Sequence, residues 1–106
     1  LHGPAASFLL KEKYNINDTE ILNAVRYHTT GRKNMSLFEK IIFTADYISA
    51  ERDWPNVEKI REMAFKNIDE AVLIKSVYAI KKCINNSQSI DINTAELYNE
   101  LITRMG

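Results

Sequence analysis

The sequence predicts an all-α domain, and three observations carry that reading. Apolar residues recur at spacings of three and four along most of the chain. Helix-starting residues stand ahead of several of these runs. No segment alternates long enough to make a strand, since Ile90-Asp91-Ile92 is too short to decide anything. With 106 residues and 45% apolar content, the chain can build one core, and residues 1–106 are read as a single domain.

Gly3-Pro4 opens the first helix, where the missing proline N–H costs nothing. Ala5, Phe8 and Leu9 form its apolar side, and it is expected to run to about Tyr14. A polar turn follows over Asn15 to Asp18. Asp18 is placed to cap a second helix bearing Ile21, Leu22, Ala24, Val25 and, at its end, His28. The pattern breaks around Gly31. Ser36-Leu37-Phe38-Glu39 matches a capping box, so a third helix should start there and run to about Ser49. Glu51 to Asn56 read as a loop ending in Trp54-Pro55. A fourth helix carries Val57, Ile60 and Ala64. A fifth, from about Asp69 to Asn85, has Leu73, Val77, Ile80 and Ile84 on one stripe. After a polar loop to Asp91, Asn93-Thr94-Ala95-Glu96 resembles another capping box, and Leu97, Leu101 and Met105 line the last helix.

Composition narrows the function classes. Lys and Arg total 14, as do Asp and Glu, so the formal net charge is zero. That balance gives no electrostatic case for nucleic acid, and no partner of that kind is expected. No apolar run approaches the roughly 20 residues of a membrane span. The single Cys83 cannot form an internal disulfide and fits a reducing, cytoplasmic setting, where it reads as a small buried thiol. Oligomeric state is left open, a homodimer included.

Several polar residues sit where burial is expensive. Asp46 lies in Ile41-Ile42-Phe43-Thr44-Ala45-Asp46-Tyr47-Ile48, a helix apolar on most sides and so expected to be buried on most sides. A carboxylate there needs a cationic partner, a proton or a metal. His28 shares the inward face of Val25 and Ile21, as a hydrogen-bonded core residue or as a metal ligand. His2 precedes the first helix and can point into a site with His28. Thr29, Thr30, Gly31 and Arg32 offer hydroxyls, backbone N–H groups and a guanidinium, which suit phosphate oxygens as well as an ordinary helix-ending turn. Arg52 is read the same way, and Tyr27 and Tyr47 as core aromatics or cleft phenols.

These residues together resemble the YqeK-type branch of the HD-domain phosphohydrolases. The resemblance rests on Leu1-His2-Gly3-Pro4, Tyr27-His28-Thr29-Thr30-Gly31-Arg32, Met35-Ser36, Ala45-Asp46-Tyr47-Ile48 and Arg52. It implies an HD-type helical bundle with two metal ions, iron being the expected identity, and symmetrical hydrolysis of diadenosine tetraphosphate to two ADP. It implies metal ligation by His2, His28 and Asp46, with Arg32 and Arg52 on the polyphosphate. The family's first His and adjacent His-Asp pair have no counterpart among these residues, because His2 and His28 are the only histidines. They are expected upstream of Leu1, which makes this chain the C-terminal part of such a domain, lacking its N-terminal helices and inactive alone. Competing readings are an HD hydrolase of another nucleotide phosphate ester, a non-catalytic helical nucleotide-binding module and a helical scaffold.

Overall fold

The computed structural model describes residues 3–47 and 57–105. Six helices follow one another: α1 (Gly3–Lys13), α2 (Thr19–Arg26), α3 (Leu37–Tyr47), α4 (Val57–Lys66), α5 (Ile68–Asn85) and α6 (Ile92–Met105). The described residues contain no strand, as the sequence predicts. His2, Arg52 and the expected Glu51-to-Asn56 loop lie outside the described residues.

Local side-chain chemistry sets most of the helix starts. Asp18 caps α2, its carboxylate accepting from the Ile21 N–H at 3.1 Å. The capping box of α3 closes in both directions: the Glu39 N–H donates to Ser36 Oγ at 3.2 Å, and the Ser36 N–H donates to Glu39 Oε1 at 3.3 Å. Asn67 caps α5 through the Glu70 N–H. The α6 start corrects the expectation. Asp91, not Asn93, is the capping residue, its carboxylate accepting the Asn93 N–H at 2.8 Å. Asn93 is already inside the helix. An aspartate two residues nearer the loop reaches the same unpaired N–H groups first.

α5 is the hub. It packs on α3, α4 and α6, while α1 packs on α2 and α2 on α3. The core holds Met35, Phe43, Val72, Leu97 and Leu101, with Ile68 and Leu73 packed against it. A smaller cluster joins Ala71 to Ala64, Ile74 and Tyr78. The inward face of α5 is Ala71, Val72, Lys75 and Ser76. This corrects the expected stripe: Leu73 reaches the core edge, but Ile84 is 62% exposed. Three elements crowd α5, so its closest face takes small residues, and the larger aliphatics turn toward the α5–α6 groove. Val77, Ile80, Ile84, Ile90 and Tyr98 line that groove.

Two other apolar sides also face outward. On α1, Phe8 is 66% exposed, and the buried residue is Gly3. A Cβ on Gly3 would sit 2.8 Å from the Val25 carbonyl oxygen, so α1 meets α2 backbone to backbone. On α3, Glu39, Phe43 and Thr44 are buried, whereas Leu37, Phe38 and Ile41 are exposed. The helix is therefore buried on one face rather than on most sides.

Gly31 closes the α2–α3 connection. Its N–H donates to the Tyr27 carbonyl at 2.8 Å, and its φ of 70° lies in the left-handed region. A Cβ there would approach Phe43 Cε1 to 3.1 Å and press harder still on Leu97. Gly31→Ala combines backbone strain with overpacking and is expected to cost about 2–3 kcal/mol. A lowered urea denaturation midpoint whose shift, multiplied by an unchanged slope, gives that free energy is the check.

Candidate metal and substrate site

The turn after α2 builds the first half of the site. α2 ends at Arg26 with Tyr27 as its C-cap, two residues before the end expected from sequence, so His28 sits in the turn itself. Gly31 pulls this turn tight by bonding back to Tyr27. His28 is half-buried, and its Nδ1 lies 2.6 Å from the Val25 carbonyl oxygen. A carbonyl has no proton to give, so Nδ1 carries the hydrogen. In the neutral ring, Nε2 then holds the lone pair, the arrangement seen in metal-ligating histidines whose other nitrogen donates to a carbonyl.

The second half comes from the last turn of α3. Asp46 is not sealed in the interior, for its side chain retains 36% of its exposure. Its Oδ2 lies 3.5 Å from Lys75 Nζ. The same ammonium donates to the Phe43 carbonyl at 2.7 Å and to the His28 carbonyl at 3.1 Å. It also lies 3.9 Å from the centroid of the Phe43 ring, a cation–π contact. The two expected ligand-bearing segments, the turn after α2 and the last turn of α3, thus meet at one buried amine from α5. Sequence reasoning passed over Lys75. The available signal was its register: it falls four residues after Ala71 and three after Val72, on the face that proves buried.

Arg32 is the third fixed point. Its Nε donates to Glu39 Oε2 at 2.8 Å and its Nη2 to Glu39 Oε1 at 2.7 Å, a two-pronged pair with a carboxylate that is 3% exposed. The hydrogen bonds it donates to Glu39 hold the guanidinium above its ordinary pKa. Arg32 also stacks 5.3 Å from the Tyr27 ring centroid. The remaining nitrogen, Nη1, contacts the Lys33 carbonyl at 3.5 Å. Glu39, read from sequence as a cap alone, serves both the helix start and this pair.

Thr29 and Thr30 line two neighbouring cavities. One, of about 150 Å³, is shared with Gly3, Pro4, Arg26 and Asn93. The other, of about 180 Å³, adjoins Cys83, Ile90 and Thr94. The Thr30 carbonyl accepts from Thr94 Oγ1 at 2.8 Å, so α6 pins the turn from behind. A shallower cavity of about 500 Å³ around Lys33, Glu96 and Arg104 holds none of the expected site residues.

Among the described residues, no cluster of three or more His, Cys, Asp or Glu could hold a metal. The donors at hand still fit one chemically. His28 offers a lone-pair nitrogen fixed by the backbone, and Asp46 offers a carboxylate with a second partner holding its orientation.

Comparison with known proteins adds the wider frame. No family model matches the chain. Curated relatives include "Bis(5'-nucleosyl)-tetraphosphatase, symmetrical" of Halalkalibacterium halodurans, 42% identical over 96% of this chain and 54% of the relative. The protein of the same description in Staphylococcus aureus is 46% identical over 77% of this chain and 41% of its own length. A solved structure from Clostridium acetobutylicum, described as a predicted HD superfamily hydrolase involved in NAD metabolism, superimposes with a TM-score of 0.93. It is 42% identical and covers 98% of this chain and 55% of that one. This chain has the fold of the HD-superfamily hydrolases. It spans about half the length of the curated relatives it matches. The all-α expectation and the HD resemblance drawn from the His28-to-Arg32 run both hold.

Within the HD fold, the Arg32–Glu39 pair carries structural weight whatever else Arg32 does. Arg32→Ala leaves a buried carboxylate without its cation and is expected to cost about 3 kcal/mol. Denaturant titration of the variant beside wild type measures it.

Proposed function

We propose that this chain supplies part of the active site of a metal-dependent phosphohydrolase that splits diadenosine tetraphosphate into two ADP. The observation carrying the proposal is His28: its Nδ1 is committed to a backbone carbonyl, so Nε2 is presented as a ligand, and the Lys75 amine ties its turn to Asp46. Relatives described as symmetrical tetraphosphatases, aligned over 96% of the chain, support the substrate.

In this reading His28 Nε2 and the Asp46 carboxylate hold metal. The remaining ligands are His2, outside the described residues, and groups in the part of the relatives' length that this chain does not span. Bound divalent ions supply Lewis acidity and a water acidic enough to attack at neutral pH. Water oxygen bonds to one of the inner phosphorus atoms, the bond from that phosphorus to the central bridging oxygen breaks, and each half leaves as ADP with one proton released. Thr29, Thr30 and the Gly31 turn offer hydroxyls and polar backbone beside the cavities, and Arg26 lines one of them. Arg32 contributes through Nη1 and through its hold on the turn. Arg52 belongs to the proposed substrate set but lies outside the described residues. The proposal carries the paired ions, iron as their identity, a cytoplasmic location and the homodimer option with it. Among the described residues, no helix is long and apolar enough to cross a membrane.

A second reading, hydrolysis of another nucleotide phosphate ester, is favoured by the description of the Clostridium neighbour as involved in NAD metabolism. Product analysis separates the two. Incubation of the metal-loaded enzyme with diadenosine tetraphosphate is expected to yield ADP alone, and an equimolar mixture of AMP and ATP would overturn the symmetrical reading. His28→Ala and Asp46→Ala are each expected to abolish turnover and lower bound metal, measured by elemental analysis of the purified variants. Either variant keeping wild-type metal and rate removes that residue from the ligand set.

A further inference from the structure

The geometry points to Lys75 as a positioning residue for the metal-ligand pair, holding the turn of His28 and the carboxylate of Asp46 in register from α5. The inference rests on the proposed metal-dependent reading. Lys75 is 7% exposed, and a charged amine that deep needs strong acceptors. It finds them in the Phe43 carbonyl at 2.7 Å and the His28 carbonyl at 3.1 Å, with Asp46 Oδ2 at 3.5 Å. The carbonyl contacts fix two stretches of backbone. One belongs to His28 itself, and the other to the residue one turn before Asp46 on the same helix face.

The carboxylate contact is long, an ion-pair approach rather than a short hydrogen bond. It orients Asp46 through charge, which is how outer partners of metal-ligating carboxylates act. An ammonium near a cation site also repels the cation. Its contacts to the Phe43 and His28 carbonyl oxygens hold it on the backbone, so which effect prevails, positioning or repulsion, is read directly from metal affinity.

A purely structural Lys75 would stabilise the fold and leave metal affinity alone, so metal affinity is the deciding measurement. The probe is Mn(II) by itself, titrated into full-length metal-free protein and followed by loss of the free-ion paramagnetic resonance signal. Lys75→Met keeps an unbranched apolar stem and removes the ammonium. It is expected to weaken Mn(II) binding about 10- to 100-fold while retaining wild-type helical circular dichroism. Unchanged or tighter Mn(II) binding in the folded variant overturns the positioning role and leaves the hydrolase reading standing. A wild type that binds no Mn(II) overturns both. If Lys75→Met fails to fold, the decision passes to the wild-type protein. The nitrogen-15 resonance of the Lys75 amine is expected to shift on saturation with diamagnetic Zn(II), and a resonance that stays in place overturns the inference.

Discussion

Two charges buried in a small helical core govern how the rest of this chain is arranged. Glu39 and Lys75 are each less than one-tenth exposed, and neither can stay there without partners. Glu39 satisfies itself with the Ser36 N–H and with the Arg32 guanidinium, which ties the start of α3 to the turn that precedes it. Lys75 satisfies itself with carbonyls from the α2–α3 turn and from α3. The connection between α2 and α3 is therefore gripped at both ends by ionic hydrogen bonds. A loop of that length would otherwise be among the more mobile parts of a domain this size.

That grip holds several of the candidate site residues together on one short turn. The tight turn set by Gly31 carries His28, Thr29 and Thr30 on one connected segment, and Thr94 of α6 closes it from the far side. α3 then brings Asp46 to the same amine that holds the carbonyl of His28. Two neighbouring cavities open beside Thr29 and Thr30 of the same turn.

Much of this was legible in the residues, for definite physical reasons. Asp18 and the Ser36–Glu39 box act on neighbours three residues away, and such contacts survive almost any tertiary arrangement. His28 stands out because an imidazole is a costly guest on an apolar face, whereas the sequence singles out Asp46 on a burial that the one-faced α3 does not give it. What escaped the sequence depends on distant partners. The α5 stripe through Val77, Ile80 and Ile84 looks like a core face by periodicity alone, yet the hub position of α5 reserves its closest contacts for Ala71, Val72 and Ser76. The role of Lys75 needs the knowledge that α3 and the α2 turn converge on that face. That Arg32 also pairs with Glu39 needs the fold as well, since the two lie seven residues apart across the start of α3.

The acceptor that fixes the His28 ring is a peptide oxygen rather than a side chain. Replacement of Val25 by any other L-residue leaves that oxygen in the chain. Point mutation can therefore erase the imidazole, but it has no direct route to the group that selects its tautomer. Drift in the surrounding sequence is buffered at this position, and a homologue with a quite different α2 could still present the same nitrogen outward.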